Sequence, residues 1–253
     1  MPLPYFYATT NIGLKRENNE DTIVSKPGDN LWIVADGMGG HASGEVASEI
    51  AGKTIAENVN QGKPLSIAIQ SAHKAILDAA ESGIGHFGMG STVVALKSSS
   101  NSYQIAWVGD SRAYLWSDDE EGPLFTQLTV DHSYVQMLYE SGAISQEEML
   151  THPEKNIITQ CLGSVDIDQV RVDLIDREWQ RNDLILLCSD GLTDAVDNQS
   201  ICNILAKGKE ISETAQELIQ AALSRGGRDN ISVILIAKPP SGIRRMLGSL
   251  LPN

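Results

Sequence analysis

Four aspartates stand where apolar, strand-like runs give way to glycine or polar turns: Asp36 in LWIVADGMGGH, Asp110 in YQIAWVGDSR, Asp190 in DLILLCSDGL and Asp229 in GGRDNISVILIA. A carboxylate at the edge of an apolar core is costly unless its charge is compensated, and converging strand ends would gather several such charges. Hard divalent cations are the natural compensation. Oxygen-only ligation suits Mg²⁺ or Mn²⁺, and two such ions held together activate water for attack on phosphorus. A single Asp-Gly pair is ordinarily a turn cap. The fourfold recurrence of the pattern argues for a shared site.

At 253 residues, with 42% hydrophobic and 21% charged residues, the chain has the make-up of a globular protein able to bury a sizeable core. Its formal net charge of −14 argues against a nucleic-acid or acidic-membrane surface, both of which need a positive footprint. The cysteines, Cys161, Cys188 and Cys202, are odd in number, and MPLPYFYATT lacks the charged and apolar regions of a signal peptide. The longest apolar runs fall short of the ~20 residues needed to cross a bilayer. A reduced cytoplasmic compartment, no stable membrane insertion and a monomer are the expectations.

Period-two alternation and flanking turns predict strands over 5–10, 21–24 and 31–35, then a meander over the runs STVVALKS, YQIAWVGD, RAYLWS and PLFTQL. Further strands are expected near 170–175 and 183–188, and a closing one at 231–237. Helical spacing marks 44–59, with Val46, Ile50, Ile55 and Val59, then 64–82 starting at Pro64, and 211–224. Strand following strand, with helices elsewhere, indicates α+β rather than alternating βαβ units. The segment 132–156 is polar and helical, interrupted by Gly142 and Pro153, and reads as a flap beside a site. KSSSNS (97–102) and DDEEG (118–122) read as hairpin loops. The length allows one large domain or two small ones, and the short tail over 241–253 has a disordered or docking character.

Several phosphate chemistries are excluded by missing residues. GMGGH lacks the Gly-Lys-Ser/Thr end of a P-loop and does not reproduce G-x-G-x-x-G, and no cysteine has an arginine six residues downstream. Metal-activated water is the route left best supported. RENNED (16–21), VADGMGGH (34–41), GMGST (88–92), VGDSR (108–112), LTVDHS (128–133), SDGL (189–192) and GGRDN (226–230) together resemble the metal-dependent type 2C (PPM) protein serine/threonine phosphatases in their stand-alone bacterial form. The ordered match runs from about residue 5 to 237. It implies a single catalytic domain over 1–240, a β-sandwich of two antiparallel sheets flanked by pairs of antiparallel helices, with the metal site at one end.

The resemblance also assigns roles. It implies that Asp36 bridges two Mg²⁺ or Mn²⁺ ions, that Gly37 ligates through its carbonyl, and that Asp190 and Asp229 complete the first ion's carboxylates. Asp110 resembles a ligand of a weaker third ion shared with Asp190, and Glu20 and Asp21 would hold metal-bound waters. Arg16 would clamp the phosphoryl group with parallel hydrogen bonds, although an arginine in a polar turn is ordinarily just solvated. His41 is the candidate general acid, with a helix-start cap as the alternative; in the better-known eukaryotic members a histidine follows the Asp-Gly pair directly, whereas Met38, Gly39 and Gly40 intervene here. Asn230 would place phosphate or a metal-bound water, or form a turn. His132 and His152, at the ends of the insert, are read as surface histidines outside the catalytic set.

The implied reaction is direct in-line hydrolysis of phosphoserine and phosphothreonine in a protein substrate by metal-activated water, with no phosphoenzyme. In NIITQCLG (156–163), Gln160 stands where many members carry arginine, and Gln-Cys-Leu-Gly is similar to cyanobacterial members that dephosphorylate the signalling protein PII. Two other readings stay open from residues alone: a regulatory module that keeps the fold without turnover, and a hydrolase of small phosphate esters.

Overall fold

The side chains of the 31–35 run point alternately to two different cores. Trp32 and Val34 join one, Leu31, Ile33 and Ala35 the other, and all are fully buried. A strand buried on both faces in this way belongs to the middle layers of a four-layer structure. The computed structural model, which describes residues 4–40, 43–119 and 122–238, has that arrangement.

The chain opens with β1 (Tyr5–Asn11), β2 (Asp21–Lys26) and β3 (Leu31–Met38), followed by α1 (Ser43–Asn60) and α2 (Leu65–Glu81). Then come β4 (Gly90–Ser91), β5 (Val93–Ser98), β6 (Ser102–Val108), β7 (Arg112–Asp119) and β8 (Gly122–Gln127). The insert carries α3 (Tyr134–Glu140) and α4 (Gln146–Thr151), and the last third holds β9 (Asp173–Glu178), β10 (Leu184–Cys188), α5 (Asp190–Thr193), α6 (Asn198–Leu205), α7 (Ile211–Ser224) and β11 (Ile231–Ala237). One antiparallel sheet has the order β1-β11-β10-β7-β8, the other β2-β3-β5-β6-β9 with β4 paired onto β3. The expected α+β sandwich of two antiparallel sheets between helix pairs is the observed fold.

Between the sheets, Trp32, Val34, Ile105, Ile185, Leu187, Ile234 and Ile236 interlock, each worth roughly 1.5–3 kcal/mol of burial. On one outer face, α1 and α2 cover the sheet, α1 burying a stripe of small residues, Ala47, Ala51 and Ala56, together with Ile55 and Val59. Val46 and Ile50, expected on the core face, are only partly buried. Small residues let the helix lie close to the sheet: a Cβ on Gly52 would stand 2.8 Å from Val24 Cγ2. On the opposite face α7 lays Ile211, Ala215, Leu218, Ile219 and Ala222 against Leu186, Val233 and Leu235.

Beyond the short, unanticipated β4 and α5, two elements differ from expectation. The strand placed near 170–175 runs Asp173–Glu178 instead, because Val170 is buried against α2, its carbonyl accepts from Gln70 Nε2, and the Arg171 N–H donates to Gln160 Oε1 at 2.8 Å. Residues tied to a helix and a loop cannot also join a ladder. The unanticipated α6 begins at Asp197, whose carboxylate accepts the Ser200 N–H at 2.8 Å, a cap present in the sequence.

The insert is helical as expected. Gly142, at φ +76°, separates α3 from α4, and Ser145 and Glu148 form a capping box at the second helix. Val135 is the buried residue of the pair, and the insert is tied at its root by Tyr134 N–H to Ile157 C=O at 2.8 Å and Thr159 N–H to His132 C=O at 2.7 Å. The three cysteines are unpaired thiols. Among the described residues no helix is long and apolar enough to cross a membrane. The expected tail over 241–253 lies outside the described residues.

Candidate active site

Register alone brings the aspartates together. Cys188 pairs with Arg112 on one side and Val233 on the other, and Asn11 with Ile231, so β7 and β11 begin where β10 and β1 end. Asp110 precedes β7, Asp190 follows β10, and Asp229 precedes β11. On the facing sheet Asp36 pairs with Asp21, and the Asp36 carbonyl accepts the Thr92 N–H at 2.8 Å.

These ends border a cleft of about 680 Å³ lined by Arg16, Glu20, Asp36, Gly37, Asp110, Asp190 and Asp229, all residues singled out in the sequence. Asn18, Thr92, Asn156 and Ile158 line it too and were not anticipated, although each lies within or next to a motif quoted above. His41 falls outside the described residues; its neighbour Gly40 lines the cleft.

The carboxylates crowd one another. Burial and then the neighbouring charges of Asp21, Asp190 and Asp110 push Asp36 well above the usual range. Burial followed by Asp110 and Asp229 does the same to Asp190. Asp110 is pushed up to about 7, by burial and then Asp131. Asp190 Oδ1 and Asp21 Oδ1 are buried and have no hydrogen-bond partner. Buried carboxylate oxygens without a partner, among carboxylates whose charges oppose one another, are the mark of a missing counter-charge.

Carboxylates with a nearby backbone carbonyl form the hard oxygen donor set that fits Mg²⁺ or Mn²⁺. Among the described residues they do not close into a ready-made cage of three or more ligands.

Supporting contacts fix the lining. Arg16 Nη2 donates to Asp229 Oδ2 at 2.6 Å. Glu20 accepts the Gly44 N–H at the start of α1, and burial raises its pKa while Arg16 opposes that rise. Asp21 does not line the cleft; buried, it accepts from Ser189 Oγ at 2.8 Å and is raised to about 6, mainly by burial. Asn230 is also buried, and its amide is spent on the backbone. It accepts the Glu20 N–H at 2.7 Å and donates to Ile12 C=O and Asn18 C=O at 2.9 and 3.0 Å, which pins the RENNED loop. Gly37 is sterically required: a Cβ there would stand 1.9 Å from Gly44 O.

His132 corrects the expectation of a surface histidine. It is buried; its Nδ1 accepts the Gly109 N–H at 3.1 Å, and its Nε2 lies 3.3 Å from Asp173 Oδ2. Its own N–H donates to Gly109 C=O at 2.9 Å. Gly109, at φ +103°, adjoins Asp110, and the same loop is clamped by Arg112 on Asp131 and by Thr92 Oγ1 on Ser111 Oγ. The LTVDHS motif therefore braces the VGDSR motif. His152 is half-buried, its Nδ1 accepting the Glu154 N–H at 3.1 Å.

Known proteins share this fold. The family model described as protein phosphatase 2C matches residues 15–226. The serine/threonine phosphatase Stp of Listeria innocua is 39% identical over 242 residues, covering 90% of this chain and 94% of that protein. The crystal structure of Mycobacterium tuberculosis serine/threonine phosphatase PstP superposes with a TM-score of 0.85 at 35% identity, over 94% of this chain and all of that one. The catalytic domain of PstP in complex with two manganese ions superposes with a TM-score of 0.80 at 33% identity, over 94% of this chain and 99% of that one. By sequence and by fold, the chain belongs to the protein phosphatase 2C family.

Proposed function

We propose that the chain is a Mg²⁺- or Mn²⁺-dependent protein phosphatase that hydrolyses phosphoserine and phosphothreonine in proteins. The observation that carries this reading is the convergence of Asp36, Asp190, Asp229 and Asp110 on one cleft beside Arg16. Asp36, the Gly37 carbonyl, Asp190 and Asp229 would hold two ions, and Asp110 with Asp190 a weaker third. Bound there, the ions supply a water of lowered pKa and neutralise charge developing on the phosphoryl oxygens.

The chain's own residues do the rest. Arg16 presents a guanidinium over the cleft and releases Asp229 when a phosphoryl oxygen competes for it. Glu20, held by the start of α1, and Asp21, held by Ser189, orient the waters around the ions. His41 donates the proton to the departing serine or threonine oxygen. Asn156 and Ile158, at the root of the insert, line the cleft, which supports reading the insert as a flap that sorts protein substrates. The expected setting is a cytoplasmic monomer.

The test is hydrolysis of a phosphothreonine peptide with Mn²⁺, Mg²⁺ or EDTA, with Asp36→Asn alongside. Turnover in EDTA, or full activity of the variant, would sink the mechanism.

A further inference from the structure

Beside the cleft lies a second cavity of about 400 Å³ that shares Asn156 and Asp229 with it. Lys155, Arg225 and Arg228 line it, against Asp194 and Asp229. In a chain of net charge −14, three cations around one cavity run against the overall field.

Those charges differ in availability. Lys155 Nζ and Asn156 Nδ2 each reach an Asp194 oxygen at 2.9 Å, so that carboxylate is satisfied. Arg225 is engaged with Ser200 Oγ at 2.9 Å, Ala195 C=O at 3.3 Å and Asp197 at 3.4 Å. Asp229 is taken by Arg16. Arg228 alone of the three makes no hydrogen bond or ion pair among the described residues, and its side chain is exposed. Its backbone is nonetheless fixed: Gly227, buried at φ +47°, accepts the Leu14 N–H at 2.7 Å, and Asp229 follows directly. An unspent guanidinium is thus rooted one residue from the cleft.

We propose that this cavity is a subsite for an anionic group that the substrate carries next to its phosphorylated residue, with Arg228 as the principal contact. The proposal rests on the phosphatase reading above. A guanidinium binds carboxylate and phosphoryl oxygens in the same forked geometry, so an acidic side chain and a second phosphoryl group share the chemistry. An extended peptide advances roughly 3.4 Å per residue, so a neighbouring side chain can enter one cavity while the phosphoryl group occupies the other.

The experiment compares kcat and KM on phosphothreonine peptides with alanine flanks, glutamate flanks, or a flanking phosphoserine, for the unaltered enzyme, Arg228→Ala and Arg228→Lys. A flanking anion should lower KM by about three- to tenfold at low salt, with the advantage shrinking as ionic strength rises. Arg228→Ala should lose that advantage while handling the alanine-flanked peptide within about twofold of the unaltered enzyme, and Arg228→Lys should keep part of it. The glutamate and phosphoserine arms show which source the subsite takes. No preference in the unaltered enzyme, or an equal loss on all peptides in Arg228→Ala, would overturn the subsite. If no peptide is turned over, the phosphatase reading fails separately, and fluorescence anisotropy of the same labelled peptides decides: tighter binding of anion-flanked peptides that depends on Arg228 supports the subsite, and its absence overturns it.

Discussion

Arg16 and Asp229 hold each other at 2.6 Å, one proposed to grip phosphate and the other to grip metal. The pair is half open to solvent, so it restrains both side chains while leaving each free to exchange partners. Occupation of Asp229 by a cation would free the guanidinium toward the cleft, and the two ligands would then support each other.

Arg16→Ala should therefore raise KM more than it lowers kcat, with a loss in kcat/KM of about 10- to 100-fold, the scale of a charge-assisted hydrogen bond to phosphate. Metal affinity, read by isothermal titration, should persist. Unchanged kinetics would remove Arg16 from the clamp.

His41→Ala should slow phosphothreonine hydrolysis by about 10²- to 10⁴-fold and leave p-nitrophenyl phosphate, whose acidic leaving group departs as a stable anion, nearly untouched. Equal loss on both substrates would exclude a general-acid role.

His132→Ala strips the buried Gly109 N–H of its acceptor and loosens the loop that presents Asp110. A loss of about 1–3 kcal/mol in urea denaturation is expected, since a buried donor is left unsatisfied. Gly37→Ala should be worse, because its Cβ would stand 1.9 Å from one backbone oxygen and 2.7 Å from another. Gly28→Ala, with nothing within 4 Å, should be near neutral and serves as the control.

Stability should depend on pH through the same carboxylates. Asp21 at about 6 and Asp110 at about 7 are raised in the folded chain, and Asp36 and Asp190 move the same way. The folded state therefore binds more protons than the unfolded one between about pH 4 and 7. That contribution is complete below the unfolded value and is lost as pH rises through the folded values. Divalent cations bind the ionised form, so the rise in Tm from Mn²⁺ over EDTA should be larger at about pH 7.5 than at about pH 5. An equal rise at both would contradict this.

Much of the site was legible because strand ends and turns announce themselves: Asp36, Asp110, Asp190 and Asp229 each break an apolar run. The contacts that hold the site were harder to read. Asn230 and His132 act through backbone groups distant in sequence, Glu20 N–H and Gly109 N–H, which no local pattern links to them. Periodicity found α1 with Ile55 and Val59 on its buried face, but Val46 and Ile50 are only partly buried; the rest of that face is mostly alanine and glycine, too weakly apolar to stand out beside them. It misplaced β9 by three residues because Val170 is apolar for the sake of α2 and belongs to no strand.

The decisive measurement is the rate of phosphate release from a phosphothreonine peptide as Mn²⁺ or Mg²⁺ is titrated into EDTA-stripped protein, with Asp36→Asn and Asp190→Ala in parallel. If the four carboxylates form a metal centre, the unaltered protein is inactive in EDTA and regains activity with the cation, while both variants stay down by about 10²-fold or more. Turnover without metal, or variants as active as the unaltered chain, would show that these carboxylates serve the fold alone.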